Sequence, residues 1–120
     1  MFSQWLRVGL FLVLVGGGSG VLAADGMRVL QGAWISVDDS KSMVAIEADV
    51  WIDYYENQEV DRTTFALFTA CADNGGVAVS DGSYIQTADG LCYSIDSITP
   101  DGMELTYMDR GNKLRFKALP

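Results

Sequence analysis

From about residue 32 onward, apolar and polar residues of this chain alternate in short runs. Met103, Leu105 and Tyr107 alternate with Glu104, Thr106 and Met108, and Leu114 and Phe116 alternate with Lys113, Arg115 and Lys117. A period of two places one set of side chains on each face of a half-buried strand. Thr99-Pro100-Asp101-Gly102 and Asp109-Arg110-Gly111-Asn112 supply the Pro, Asp, Asn and Gly that tight turns require. Cys92 to Ala118 therefore reads as a three-stranded antiparallel meander.

Earlier in the chain, Met27 to Leu30 reads as a short or helical turn leading into a strand over Gly32 to Val37. Val44, Ile46, Ala48, Val50 and Ile52 then continue one alternation. This predicts a single long strand reaching Tyr54, with Trp51 facing outward beside Glu47, Asp49 and Asp53. Tyr54 to Thr63 is dense in charge and amide groups and reads as an exposed loop. Strands follow over Thr64 to Cys71, Val77 to Ser80 and Tyr84 to Thr87, separated by Asp, Asn and Gly. The pattern totals about eight short strands and contains no sustained helical period. It predicts an all-β fold, a small antiparallel up-and-down β-barrel, because closure removes exposed strand edges. A β-sandwich is the alternative.

The first residues break this pattern. Met1 to Arg7 carries one positive charge, Val8 to Val15 is almost wholly apolar, and Val21-Leu22-Ala23-Ala24 offers small residues before Asp25. That order is the pattern of a secretory signal peptide, with cleavage expected after Ala23 and after Ala24 as the near alternative. The expected division is a signal peptide over 1–23 and one barrel domain over 24–120. The apolar run is too short to span a bilayer, so no membrane span is expected after cleavage. The expected location is the bacterial periplasm or the extracellular space.

Export changes the reading of the cysteines. Cys71 and Cys92 are the two in the chain, and in an oxidising compartment they are expected to form one disulfide. Removal of residues 1–23 takes away Arg7 and no acid, leaving 7 basic and 16 acidic residues and a net charge of −9. Such a surface repels phosphates and makes nucleic acid a poor partner.

With no histidine, neither a Ser-His-Asp nor a Cys-His arrangement can be assembled. The same absence, with both thiols committed to a disulfide, argues against a zinc centre, and no EF-hand spacing occurs among the aspartates. Asp49 with Asp53, or Asp38 with Asp39, are nominal carboxylate pairs, but in so acidic a chain pairs arise from composition alone. The expectation is a protein without catalytic residues, metal or cofactor.

Gly32-Ala33-Trp34 resembles the GxW motif of the lipocalin and calycin group. The mature chain is also similar to small exported lipocalin-like bacterial proteins, which share an ending like Arg110-Gly111-Asn112 followed by a strand. The resemblance implies that the motif opens the first barrel strand, and that a basic residue near the chain end, Arg115 or Lys117, packs over Trp34. It also implies a small apolar ligand, for which Trp34, Tyr93 and Tyr107 are the candidate residues at the barrel mouth. The chain is much shorter than a typical lipocalin, which argues against a deep pocket. The alternative is a protein-interaction or inhibitor domain that uses an acidic-aromatic surface patch of Trp51, Tyr54 and Tyr55.

Overall fold

A computed structural model describes residues 26–120 of the chain; the signal-peptide reading of residues 1–23 lies outside the described residues. Eight strands, β1 Gly32–Ser36, β2 Ser42–Glu47, β3 Val50–Tyr55, β4 Gln58–Phe68, β5 Tyr84–Thr87, β6 Cys92–Ile98, β7 Gly102–Tyr107 and β8 Lys113–Ala118, follow one another around a closed barrel. Every neighbouring pair is antiparallel, and β8 closes on β1 through Trp34 opposite Ala118 and Ser36 opposite Phe116. The all-β barrel that the alternation predicts is the fold observed.

Each strand contributes alternate residues to the interior. Trp34, Val44, Ile46, Trp51, Phe65, Leu67, Ile85, Met103, Leu105 and Phe116 form one buried cluster, joined by Leu30 from a helical turn over residues 26–30. Bulky side chains on strands of four to seven residues, with only β4 longer at 11, occupy the space a small barrel encloses. The helical turn lies across the end of the barrel where β1 begins. Leu30 is 0% exposed there, and its carbonyl accepts a 2.8 Å hydrogen bond from Trp34 Nε1. The GxW tryptophan is thus covered by the segment that precedes it. Arg115 and Lys117 stand on the outer face of β8, opposite in direction to Phe116, and Arg115 instead pairs with Asp38 at 2.8 Å. The expected basic cover over Trp34 from these two residues is corrected accordingly.

The long strand predicted over Val44 to Tyr54 is a hairpin. Ala48 and Asp49 make its two-residue turn, with Ala48 in the left-handed region at φ 55° and Glu47 paired with Val50. Residues paired across a hairpin share a face, so the turn reverses the inward parity between β2 and β3. Trp51, opposite Ile46, therefore points inward and is 5% exposed. The outward placement of Trp51 is overturned for this reason.

The predicted loop over Tyr54 to Thr63 is strand except for the tight turn at Glu56 and Asn57. Gln58–Arg62 forms the exposed first half of β4 and pairs with β3 across a register shift at Asp53/Tyr54. Conversely, Val77 to Ser80 is no strand of the barrel. It runs back along β4, with one bridge from Ala78 to Phe68 and hydrogen bonds from Thr69 N to Val77 O and Val79 N to Leu67 O. The eight predicted strands and the eight observed ones agree in number because the hairpin of β2 and β3 adds the strand that Val77 to Ser80 does not form.

The excursion over residues 69–83 is packed so closely that Gly76 has no room for a side chain: a Cβ there would overlap the Ala70 carbonyl. Cys71, three residues past the end of β4, reaches back to Cys92 at the start of β6, and the two are bonded. The Gln86 side chain, on β5 between them, accepts a 2.9 Å hydrogen bond from Ala72 N. The disulfide therefore lies on the outer wall and ties the excursion to the barrel.

Candidate functional sites at the two ends of the barrel

The two ends differ in chemistry, and the sequence-predicted residues divide between them. At one end stand Trp51, Tyr93 and Tyr107. Trp51 and Tyr93 are stacked, with ring centroids 5.8 Å apart and planes 7° from parallel, and Tyr93 and Tyr107 follow at 5.4 Å. Phe65 meets Trp51 edge-on at 6.2 Å. The register explains the series, since Tyr93 lies directly opposite Tyr107 on adjacent strands while Trp51 reaches across the interior. Trp34, grouped with the tyrosines by sequence, belongs to the opposite end beside Leu30.

Acids rim the tyrosine end. Asp53 accepts a 3.1 Å hydrogen bond from Trp51 Nε1, pairs across the sheet with Asp61, and also faces Asp89. Burial is the main cause that raises the Asp53 carboxyl above its usual range. The Trp51 hydrogen bond opposes the rise, and Asp61 and Asp89 add to it. Tyr93 is pushed up to about 12, chiefly by burial and then by the negative charge of Asp53 and its neighbours. Tyr107 donates a long 3.4 Å hydrogen bond to Asp109, and Thr87 bonds Asp89 in the β5–β6 turn.

These shifts fix the sign of a pH dependence. An ordinary tyrosine ionises near pH 10, whereas Tyr93 holds its proton in the fold to about 12. Across that window the unfolded chain has released a proton that the folded chain retains, so stability falls as pH rises from about 10 to about 12. Tyr93→Phe is expected to shift the midpoint of alkaline unfolding upward, measured by circular dichroism against pH. An unchanged midpoint contradicts the placement. Asp53, also raised, has the same sign in acid: its contribution grows as pH falls through its folded value towards 3.8.

The proposed surface patch of Trp51, Tyr54 and Tyr55 is not assembled. Trp51 faces the interior, whereas Tyr54 lines a shallow outer hollow with Ala33, Met43 and Ala45, and Tyr55 is exposed near the β3–β4 turn. Tyr54 follows Asp53 directly on β3 and so lies on the opposite face from Trp51 and Asp53.

The other end carries an open concavity beside the helical turn. An open groove of about 790 Å³ runs between the helical turn and the carboxyl end of β4. Met27, Arg28 and Gln31 form one wall, while Phe65, Ala66 and Leu67 form its floor. Ala78, Val79 and Ser80 of the excursion form the second wall, and Asp49 of the β2–β3 turn closes one side. Gln31 anchors the first wall: its Oε1 accepts from Ala48 N at 2.6 Å and its Nε2 donates to Ala48 O at 3.0 Å. Gly26 lies over Leu67, where even an added Cβ would rest 3.7 Å from the Leu67 side chain. The groove is thus largely apolar with a few polar groups at its edge, as small-molecule sites commonly are.

Sequence reasoning places Met27 in a turn and names Asp49 as a nominal carboxylate, but does not bring the groove residues together. Their signal is the apolar Val77-Ala78-Val79 triplet, with Val77 itself exposed, in a segment that does not join the barrel. In the sequence the triplet reads as a strand rather than as a wall. Among the described residues, no cluster of three or more acidic or cysteine side chains is arranged to hold a metal, and no helix is long and apolar enough to cross a membrane. Comparison of the chain with protein-family models, curated proteins and solved structures gives no match.

Proposed function

We propose that the protein is an exported, non-enzymatic β-barrel that binds a small apolar ligand in the groove between the helical turn and β4. The observation that carries this reading is the groove itself, with Met27, Phe65, Leu67, Ala78 and Val79 converging on about 790 Å³ of open space. A volume of that order suits a ligand of the size such pockets commonly hold. The reading keeps the ligand class implied by the lipocalin resemblance but moves its place. Trp34 and Leu105 pack the barrel interior, and Tyr93 and Tyr107 lie at the far end. The Cys71–Cys92 bond is compatible with the oxidising compartment that the signal-peptide pattern implies.

The test is titration with the neutral fluorescent probe N-phenyl-1-naphthylamine. Ala78 is exposed on the groove wall, so Ala78→Glu adds a charge to the apolar surface without disturbing the core. The variant is expected to weaken probe binding about tenfold, the equivalent of roughly 1.4 kcal/mol. Tyr107→Phe, at the opposite end, is expected to leave binding unchanged. A wild-type protein that fails to bind the probe, or an Ala78→Glu variant that binds it equally, overturns the groove reading.

A further inference from the structure

We infer that the ligand of this groove is a cationic amphiphile: an alkyl or aryl chain ending in an amine or ammonium group, rather than a fatty acid or other anionic lipid. The inference rests on the groove reading above and adds the identity of the headgroup.

Asp49 sits where an apolar floor gives way to solvent. Its backbone is committed, since Asp49 O accepts the 2.9 Å bond from Phe65 N that joins the β2–β3 turn to β4. Its carboxylate makes no hydrogen bond or ion pair with any other described residue. The backbone bond fixes the turn that carries this carboxylate. On the facing wall, Ser80 supplies a hydroxyl, and Asp81 follows it directly in sequence. The cation of the groove, Arg28, has an interaction of its own, and the amide of Gln31 is used in bonding Ala48. The edge of the apolar floor therefore carries a carboxylate with no described partner and a serine hydroxyl.

The wider field has the same sign. The full chain carries 16 acidic against 8 basic residues, so a carboxylate or phosphate headgroup approaches against net repulsion and an ammonium group approaches with attraction. A tail alone gives affinity without selecting a headgroup; the rim charge supplies the selection.

The experiment displaces bound N-phenyl-1-naphthylamine from the full folded protein at pH 7 with decylamine, decanol and decanoate, which share a ten-carbon chain. Decylamine is expected to bind about tenfold more tightly than decanoate, with decanol between them. That ratio is expected to shrink several-fold in 0.5 M salt, where a Debye length of about 4 Å screens the rim. Asp49→Asn, which retains the backbone turn, is expected to reduce the ratio. Decanoate binding as tightly as decylamine, or a ratio untouched by Asp49→Asn, overturns the headgroup assignment while the groove stands. Displacement by butylamine at the same concentrations also overturns it, because the charge would then act without the groove. Failure of all three ten-carbon compounds to displace the probe overturns the groove itself.

Discussion

Replacing Trp34 by alanine is expected to remove about 3–5 kcal/mol of stability, the range for deleting a large buried aromatic side chain. For a domain of this size, that corresponds to a fall in midpoint temperature of roughly 15–30 °C. Two terms are combined in the loss. Trp34 is 2% exposed and packs within the cluster that spans the barrel. Its indole nitrogen also provides the 2.8 Å hydrogen bond that holds Leu30 O, and with it the helical turn, over the end of the barrel. Trp34→Phe separates the terms, because it preserves most of the packing and leaves the Leu30 carbonyl without its donor. An unsatisfied buried carbonyl costs about 1–3 kcal/mol, so the phenylalanine variant is expected to lie between wild type and alanine. Urea unfolding followed by far-ultraviolet circular dichroism measures both. A loss below about 1 kcal/mol for Trp34→Ala would contradict the packing described.

The outcome also bears on the groove, since the turn that Trp34 holds is one of its walls. Trp34→Phe is expected to weaken probe binding more than its stability loss alone implies. Residues 26–31 would then be less firmly fixed while the barrel remains folded.

What the sequence makes legible follows from where local chemistry and the global fold agree. The meander of β6, β7 and β8 was readable because its turns carry Pro, Gly and Asn and its strands alternate cleanly. The disulfide was readable from the cysteine count in a chain patterned for export. The β2–β3 hairpin was not, because its turn is Ala48-Asp49, with an alanine in a left-handed conformation that glycine or asparagine more often adopts. No breaker interrupts the apolar alternation, and a turn of two residues conceals a change of parity that reassigns the side chains of β3. That single reversal moved Trp51 from the surface to the interior and dissolved the expected aromatic patch.

The polar first half of β4 was hidden by a different cause. Gln58 to Arg62 is exposed, so nothing in its composition marks a buried face. Arg62 there is bonded twice to Glu59, at 2.9 Å each, which suits a solvated strand as well as a loop. The groove was illegible for a third reason. It is formed by residues from the helical turn, a hairpin, a barrel strand and an excursion, and no local spacing brings those four segments together. By contrast, the tyrosine pair was foreseeable, since Tyr93 and Tyr107 lie on consecutive strands of a clear meander.

The second large effect concerns the bond between Cys71 and Cys92. Replacing both cysteines by alanine is expected to cost about 3 kcal/mol, from the loop-entropy relation applied to a sequence separation of 21. A fall in midpoint temperature on the order of 15 °C corresponds to it. The loss should also be uneven. The excursion over 69–83 is held to β4 by the Phe68–Ala78 bridge and a few main-chain hydrogen bonds, and to β5 by Gln86. With the covalent tie removed, these bonds and the 2.8 Å bond from Ile95 N to Ser83 O oppose its opening, while the ladders of the other strands are untouched. Amide hydrogen exchange at Thr69 and Val79, whose N–H groups bond Val77 O and Leu67 O, is therefore expected to accelerate well before exchange at Leu105 in the core. Ala78, Val79 and Ser80 move with the excursion and form a wall of the groove. Binding of N-phenyl-1-naphthylamine should thus weaken in the double variant at temperatures where the barrel's circular dichroism is still native. Equal acceleration throughout the chain would show that the bond stabilises the barrel as a whole and that the excursion is no separate unit. Unchanged probe binding, with exchange accelerated only at Thr69 and Val79, would show that the wall contributes nothing to the site.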